Sequence, residues 1–156
     1  MDTIYEICGR FEEASDCDRL LYAPSGRSLS YRESRVYRFR WNGESEEALR
    51  AFAERCLLDR VSQIILSEGN TPWRGYSFCL EYGMKPAVLD LEKEAILSYY
   101  RSLNAPLFRV EGLVIRRRIY VFGDAEADVR SVFVRDLVNP AIHEYRLLDS
   151  AGLVMA

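Results

Sequence analysis

Histidine is all but missing from this chain, with His143 the only one in 156 residues. Cysteine is sparse, and Cys8, Cys17, Cys56 and Cys79 lie too far apart for any C-x-x-C pair. A zinc site needs several such ligands at set spacings, so no bound metal is expected. The opening "MDTIYEICGRFEE" has no basic segment followed by an apolar core, so no signal peptide is expected and the location read from it is cytoplasmic. Without an oxidising compartment the four cysteines read as small buried hydrophobes rather than disulfide partners. No run approaches the roughly 18 apolar residues of a membrane helix. An excess of positive charge is missing too: 21 Lys and Arg face 24 Asp and Glu, for a net charge of -3. Nothing overall draws the chain to nucleic acid or to an anionic membrane. Glycine-rich phosphate loops are absent, since Gly69 and Gly75 straddle Pro72 in a turn-rich stretch rather than joining a strand to a helix.

What is present is a pattern written twice. Hydrophobic residues make up 49% and charged residues 29%, the balance of one folded domain spanning 1–156. In "YEICGRF", Tyr5, Ile7, Cys8 and Phe11 correspond to Tyr76, Phe78, Cys79 and Tyr82 of "YSFCLEY". "VYRFRWNG" alternates, with Tyr37, Phe39 and Trp41 on one face, and "RRRIYVFG" repeats it with Ile119 and Val121. That period of two marks a half-buried strand, and Gly43 and Gly123 close the two copies alike. A helix follows each time: Leu49, Phe52, Ala53, Cys56 and Leu57 form one apolar stripe, and Val129, Val132, Phe133 and Leu137 form its counterpart. Both begin with acidic residues, which suits the positive end of a helix dipole. "LLDRV" and "LVNPA" break the helices, and the short strands "QIIL" and "HEYRL" end the copies.

The expectation is therefore an α+β fold of two tandem βαβ-type units, residues 4–66 and 76–148, joined by "SEGNTPWRG" at 67–75. Antiparallel sheets would pack with pseudo-twofold symmetry beneath the helices, each half burying what the other leaves exposed. The second unit carries an extra helix, capped by Asp90 and striped by Ala95, Ile96, Tyr99 and Leu103, that ends at Asn104 and Pro106.

Catalytic signals are thin. Imidazole is the side chain suited to proton transfer near neutral pH, but His143 has no Ser or Cys motif beside it and reads as a strand-start residue. In a strand, Arg116 and Arg118 point one way and Arg117 the other, which makes a solvated face or an interface with an acidic partner rather than one phosphate grip. An interaction module is expected, not an enzyme with its own activity.

Two stretches of the second unit carry a resemblance. "KPAVLDLEKEA" supplies Lys85, Pro86, Val88 and Asp90, and "DLVNPAIHEYRL" supplies Leu137, Asn139, Pro140, Ile142 and Tyr145. In order and separation these resemble the PurS-like family, the small subunit or N-terminal domain of phosphoribosylformylglycinamidine synthase. The sequence departs from that pattern at Leu91 and Lys93, where Pro and Gly are usual, and at Arg116-Arg117, where Gly-Lys or Gly-Arg is usual. The doubled unit resembles the N-terminal domain of the long single-chain synthases, which mimics a dimer of small subunits. The resemblance implies a non-catalytic bridge between the synthetase large subunit and the glutaminase subunit, supporting sequestered ammonia transfer. It implies no cofactor on this chain itself, although the complex uses ATP and Mg, and it allows a homodimer. Lys85, Pro86, Asp90, Arg116, Arg117, Asn139, Pro140, Ile142 and Tyr145 are then the motif and interface candidates. The other reading of the residues is a regulatory module binding a small metabolite at the seam between the units.

Overall fold

The computed structural model describes residues 1–155. In chain order the elements are β1 (Asp2–Gly9), β2 (Ser15–Asp16), β3 (Ser30–Gly43), α1 (Glu46–Leu57), β4 (Gln63–Ser67), β5 (Phe78–Met84), α2 (Leu91–Arg101), β6 (Phe108–Phe122), α3 (Ala127–Leu137) and β7 (His143–Asp149). A short 3-10 turn at Cys17–Arg19 follows β2. All seven strands join one antiparallel sheet in the order β4-β1-β3-β6-β5-β7, with β2 attached to β3.

The class is α+β, but there is one continuous sheet instead of two packed sheets. The reason is strand length. Alternation in the sequence marks only Val36 to Gly43 and Arg116 to Gly123, whereas β3 begins at Ser30 and β6 at Phe108. The two pair along their whole length, from Ser30 opposite Phe122 to Gly43 opposite Phe108, and so weld the halves at the centre. Pairing across the sheet draws in "SYRES" and "FRVEG", whose own residues give a weak strand signal.

Register also moves one equivalence. Cross-strand pairing sets Tyr5 against Tyr37 in one half and Tyr82 against Arg117 in the other. With Tyr37 matched to Arg117, Tyr5 therefore corresponds to Tyr82, not to Tyr76. Phe11 lies beyond β1 and is 83% exposed, so it ends no strand.

All three helices cover one face of the sheet. Tyr5, Tyr37, Phe39 and Trp41 meet Leu49, Phe52 and Ala53 of α1, while Phe78, Leu80, Ile119 and Val121 meet Val129 and Phe133 of α3. The connecting segments cross over. Ile96 of α2 packs into the core of the first half, where Tyr99 stacks on Phe52 at 5.8 Å. Cys17, Leu21 and Leu29 of the first half pack into the core of the second. Each half thus supplies cover for the other's sheet, by apolar burial that neither achieves alone.

Capping sets where the helices start. Ser45 Oγ accepts from the Ala48 N–H at 3.1 Å, and Asp90 Oδ1 accepts from the Lys93 N–H at 3.2 Å. Each bond satisfies an otherwise orphaned amide of the first turn. No side chain caps α3, whose first turn carries Asp128. Among the described residues no helix is long and apolar enough to cross a membrane.

Candidate functional site

Directly opposed residues of paired strands share a face, so register assigns the helix-free side. Glu6, Ser34, Arg116, Arg118, Tyr120, Glu81, Glu144 and Arg146 all project there. Glu81 is 1% exposed and Glu6 5%, in the centre of the sheet. A carboxylate removed from water is tolerated only when charges and donors surround it. Arg118 joins them: Nη1 donates to Glu6 Oε1 at 2.8 Å and Nε donates to Glu81 Oε1 at 3.2 Å. Ser34 Oγ donates to Glu6 Oε2 at 2.5 Å, the Tyr120 hydroxyl donates to the same oxygen, and Arg146 Nε donates to Glu81. Burial works against charge on Arg118, but Glu6, Tyr120 and Glu81 outweigh it and hold the guanidinium protonated above its usual range. Burial, then the nearby Glu6 charge, pushes the Tyr120 phenol well up.

Two openings flank this network. A cleft of about 300 Å³ is floored by Ile4, Val36 and Val114 and edged by Arg38, Arg116 and Arg146. A second cavity, about 510 Å³, lies between the 69–76 segment and the C-terminal turn, with Trp73, Tyr76 and Tyr120 in its wall. Trp73 and Tyr76 each meet Tyr120 edge-on, at 5.1 and 5.0 Å. Nearby, the Arg32 guanidinium lies over Phe122 at 5.5 Å, and its Nε is the one buried side-chain polar atom without a hydrogen-bond partner among the described residues.

The two sequence motifs meet at one end of the sheet. The Lys85 N–H donates to the Ile142 carbonyl at 2.8 Å, and Lys85 Nζ donates to the Pro140 carbonyl at 2.6 Å. Asn139 Oδ1 accepts from the Ala141 N–H at 3.0 Å, and its carbonyl accepts from the N–H groups of Ile142 and His143. Asn139-Pro140 is thus a hydrogen-bonded turn that stops α3 and launches β7. Pro86 and Asp90 line a small recess with Lys85 and Glu144. Arg116 donates to Glu144 at 2.5 Å, which ties that recess to the helix-free cleft, where Tyr145 forms part of the edge. Arg117 stands apart on the helix side, bonded to Glu33 at 2.7 Å and to the Tyr82 hydroxyl at 3.0 Å.

His143 serves the turn. Its Nδ1 accepts from the Asn139 N–H at 3.0 Å, and its ring stands edge-on to Tyr82 at 5.3 Å. Burial raises the thiols of Cys8 and Cys56 to about 11 and that of Cys17 to about 12, and it pushes Cys79 up as well. All four cysteines are free, and at neutral pH they stand as thiols, poor nucleophiles. Among the described residues no group of three or more His, Cys, Asp or Glu side chains is gathered for a metal ion. Charge here is neutralised within the chain, an arrangement suited to holding and recognising surfaces.

Sequence reasoning placed Arg118 on the face of Arg116 but missed its partners Glu6 and Glu81, and missed Ser34 and Arg146. A signal was there: Glu81 is the lone acid inside the apolar run "YSFCLEY", where an unpaired carboxylate is too costly to bury. No protein-family model matches the chain, and no curated protein or solved structure is significantly similar to it.

Proposed function

We propose that this chain is a PurS-like accessory component of phosphoribosylformylglycinamidine synthase, acting in the cytoplasm to bridge the synthetase and the glutaminase. The observation that carries the reading is the meeting of the two motifs: Lys85 from one and Pro140 and Ile142 from the other bind each other directly. They meet because β5 pairs with β7, Met84 opposite His143, so that both motifs stand at one end of the sheet where a partner would meet them together. The strand order supports it, because reading outward from the β3/β6 centre each side runs through the first and then the last strand of its own half. We read this order as an internal duplication with pseudo-twofold symmetry, the single-chain equivalent of two small subunits. A bridge needs no catalytic group of its own, since ATP and Mg belong to the partner that activates the substrate amide. Its task is to hold the two enzymes so that ammonia passes between them out of contact with water.

Reconstitution tests this. The purified synthetase and glutaminase from the same source should convert formylglycinamide ribonucleotide with glutamine only when this chain is added. Ammonium salt in place of glutamine should lessen that requirement. A full glutamine-dependent rate without the chain would overturn the reading.

The cavity of about 510 Å³ favours a second reading, a regulatory module that takes a small metabolite beside the seam. A rise in unfolding temperature on adding purine nucleotides or amino acids, lost in Trp73→Ala, is the result expected of it.

A further inference from the structure

The helix-free side of the sheet carries more cationic than anionic side chains. Arg32, Arg38, Arg40, Arg116, Arg118 and Arg146 all project there by register. Asp2, Glu6, Glu81 and Glu144 project on the same side and pair with all of these arginines except Arg32, leaving an excess of positive charge, although the chain as a whole is net negative. Positive charge has been gathered onto one surface of an acidic protein.

That surface is not merely solvated. Between the arginines lies the aliphatic floor of Ile4, Val36 and Val114. Val36 is only 4% exposed because the neighbouring side chains close over it, but Val114 is 41% exposed in the middle of a central strand. Long arginine stems beside an apolar floor, with their heads held by neighbouring carboxylates, give a surface both apolar and charged.

We propose that this cleft docks an acidic protein segment that inserts an apolar side chain against Ile4 and Val114 while its carboxylates meet Arg38, Arg116 and Arg146. The proposal rests on the bridging function above, because it says where one of the two partner enzymes sits. Charge complementarity selects the occupant. A second copy docked through the same face would set one patch of net positive charge against another. Nucleic acid is disfavoured as well, because the chain's net charge repels a polyanion. Arg38, Arg116 and Arg146 already meet Asp2, Glu144 and Glu81, so they enter the interface oriented, and less side-chain freedom is lost on binding.

The test has two arms. In the first, nitrogen-15-labelled protein is titrated with a synthetic peptide of two leucines flanked by glutamates. Resonances of Ile4, Val36, Arg38, Val114 and Arg116 should shift, and affinity should fall at least about tenfold when salt is raised from about 0.05 to about 0.5 M. The variant carrying Arg38→Gln and Val114→Glu should lose binding by about tenfold or more, while Arg55→Gln on the helix side should not. Thermal unfolding of each variant verifies that it is folded. Shifts confined to other surfaces, equal binding of a lysine-flanked peptide, preference for a single-stranded oligonucleotide, or self-association through this face would each overturn the docking. The second arm measures binding of the purified synthetase and glutaminase to the same variants. Binding of one enzyme that the double variant abolishes supports the docking, and binding the variant leaves unchanged sinks it while sparing the bridge. Peptide binding in the cleft with neither enzyme bound sinks the bridge and leaves the docking chemistry standing.

Discussion

Glu6 accepts hydrogen bonds from Arg118, Ser34 and Tyr120 while almost wholly shut off from water. Removing it leaves Arg118 with the Glu81 carboxylate alone and orphans two hydroxyls, so Glu6→Ala should cost about 2–4 kcal/mol in urea unfolding. The half-exposed pair of Arg38 and Asp2 is different, and Asp2→Ala should leave the urea midpoint nearly unchanged. Equal losses from the two would show that the buried network is unimportant. The raised thiols and phenols make a second statement about stability. Cys8, Cys17 and Cys56 rise from 9.0 to about 11, 12 and 11, and Tyr5 rises from 10.0 to about 12, burial being the leading cause for each. The folded state favours their neutral forms, so that contribution is whole below pH 9 and drains away as pH climbs through 11 and 12. Urea midpoints should be flat up to pH 9 in this respect and drop steeply above it. Native thiols should react slowly with a disulfide reagent until the chain unfolds. At this scale the sequence was a fair guide to where charges stand, as with the alternation of Arg116, Arg117 and Arg118. It was silent on partners, because Glu6 and Arg118 meet only through strands far apart in the chain.

Helices and their stops were the most legible elements. Asp90 caps α2 as its position before an apolar stripe requires, and Asn139-Pro140 ends α3 as the chemistry of that dipeptide demands. Strand extents were the least legible, since half of β3 and half of β6 acquire strand character only from each other. The matched glycines show how an ending can still be read. Gly43 and Gly123 both hold positive φ, +144° and +115°, at the close of the two long strands. A Cβ on Gly123 would stand 2.8 Å from the Ser28 carbonyl oxygen, whereas one on Gly26, also at positive φ, would meet nothing within 4 Å. Gly123→Ala should therefore destabilise by clearly more than the roughly 1 kcal/mol of backbone strain alone, and by more than Gly26→Ala. Identical unfolding midpoints for the two variants would contradict the close packing at that corner.

Across the whole molecule the halves are interdependent, and the repeat in the sequence hinted at this without saying which segment covers what. Ile96 lies over the first half and Cys17, Leu21 and Leu29 lie over the second, so a cut between them leaves both sheets bare. Fragments 1–70 and 71–156 should each give weak circular dichroism and no cooperative melt, and should regain both when mixed. A sharp thermal transition from 71–156 alone would show that the second half stands by itself. The long β3/β6 pair adds a temporal consequence. Ser30 must find Phe122 and Gly43 must find Phe108 before the sheet has a middle, and the whole linker, two helices and two strands lie between them. Closing so large a loop loses entropy before any contact repays it, which makes this pairing the slow event of folding. Helices form early and wait, and a nascent chain emerging from its N-terminus carries an unfinished sheet edge until β6 has been synthesised.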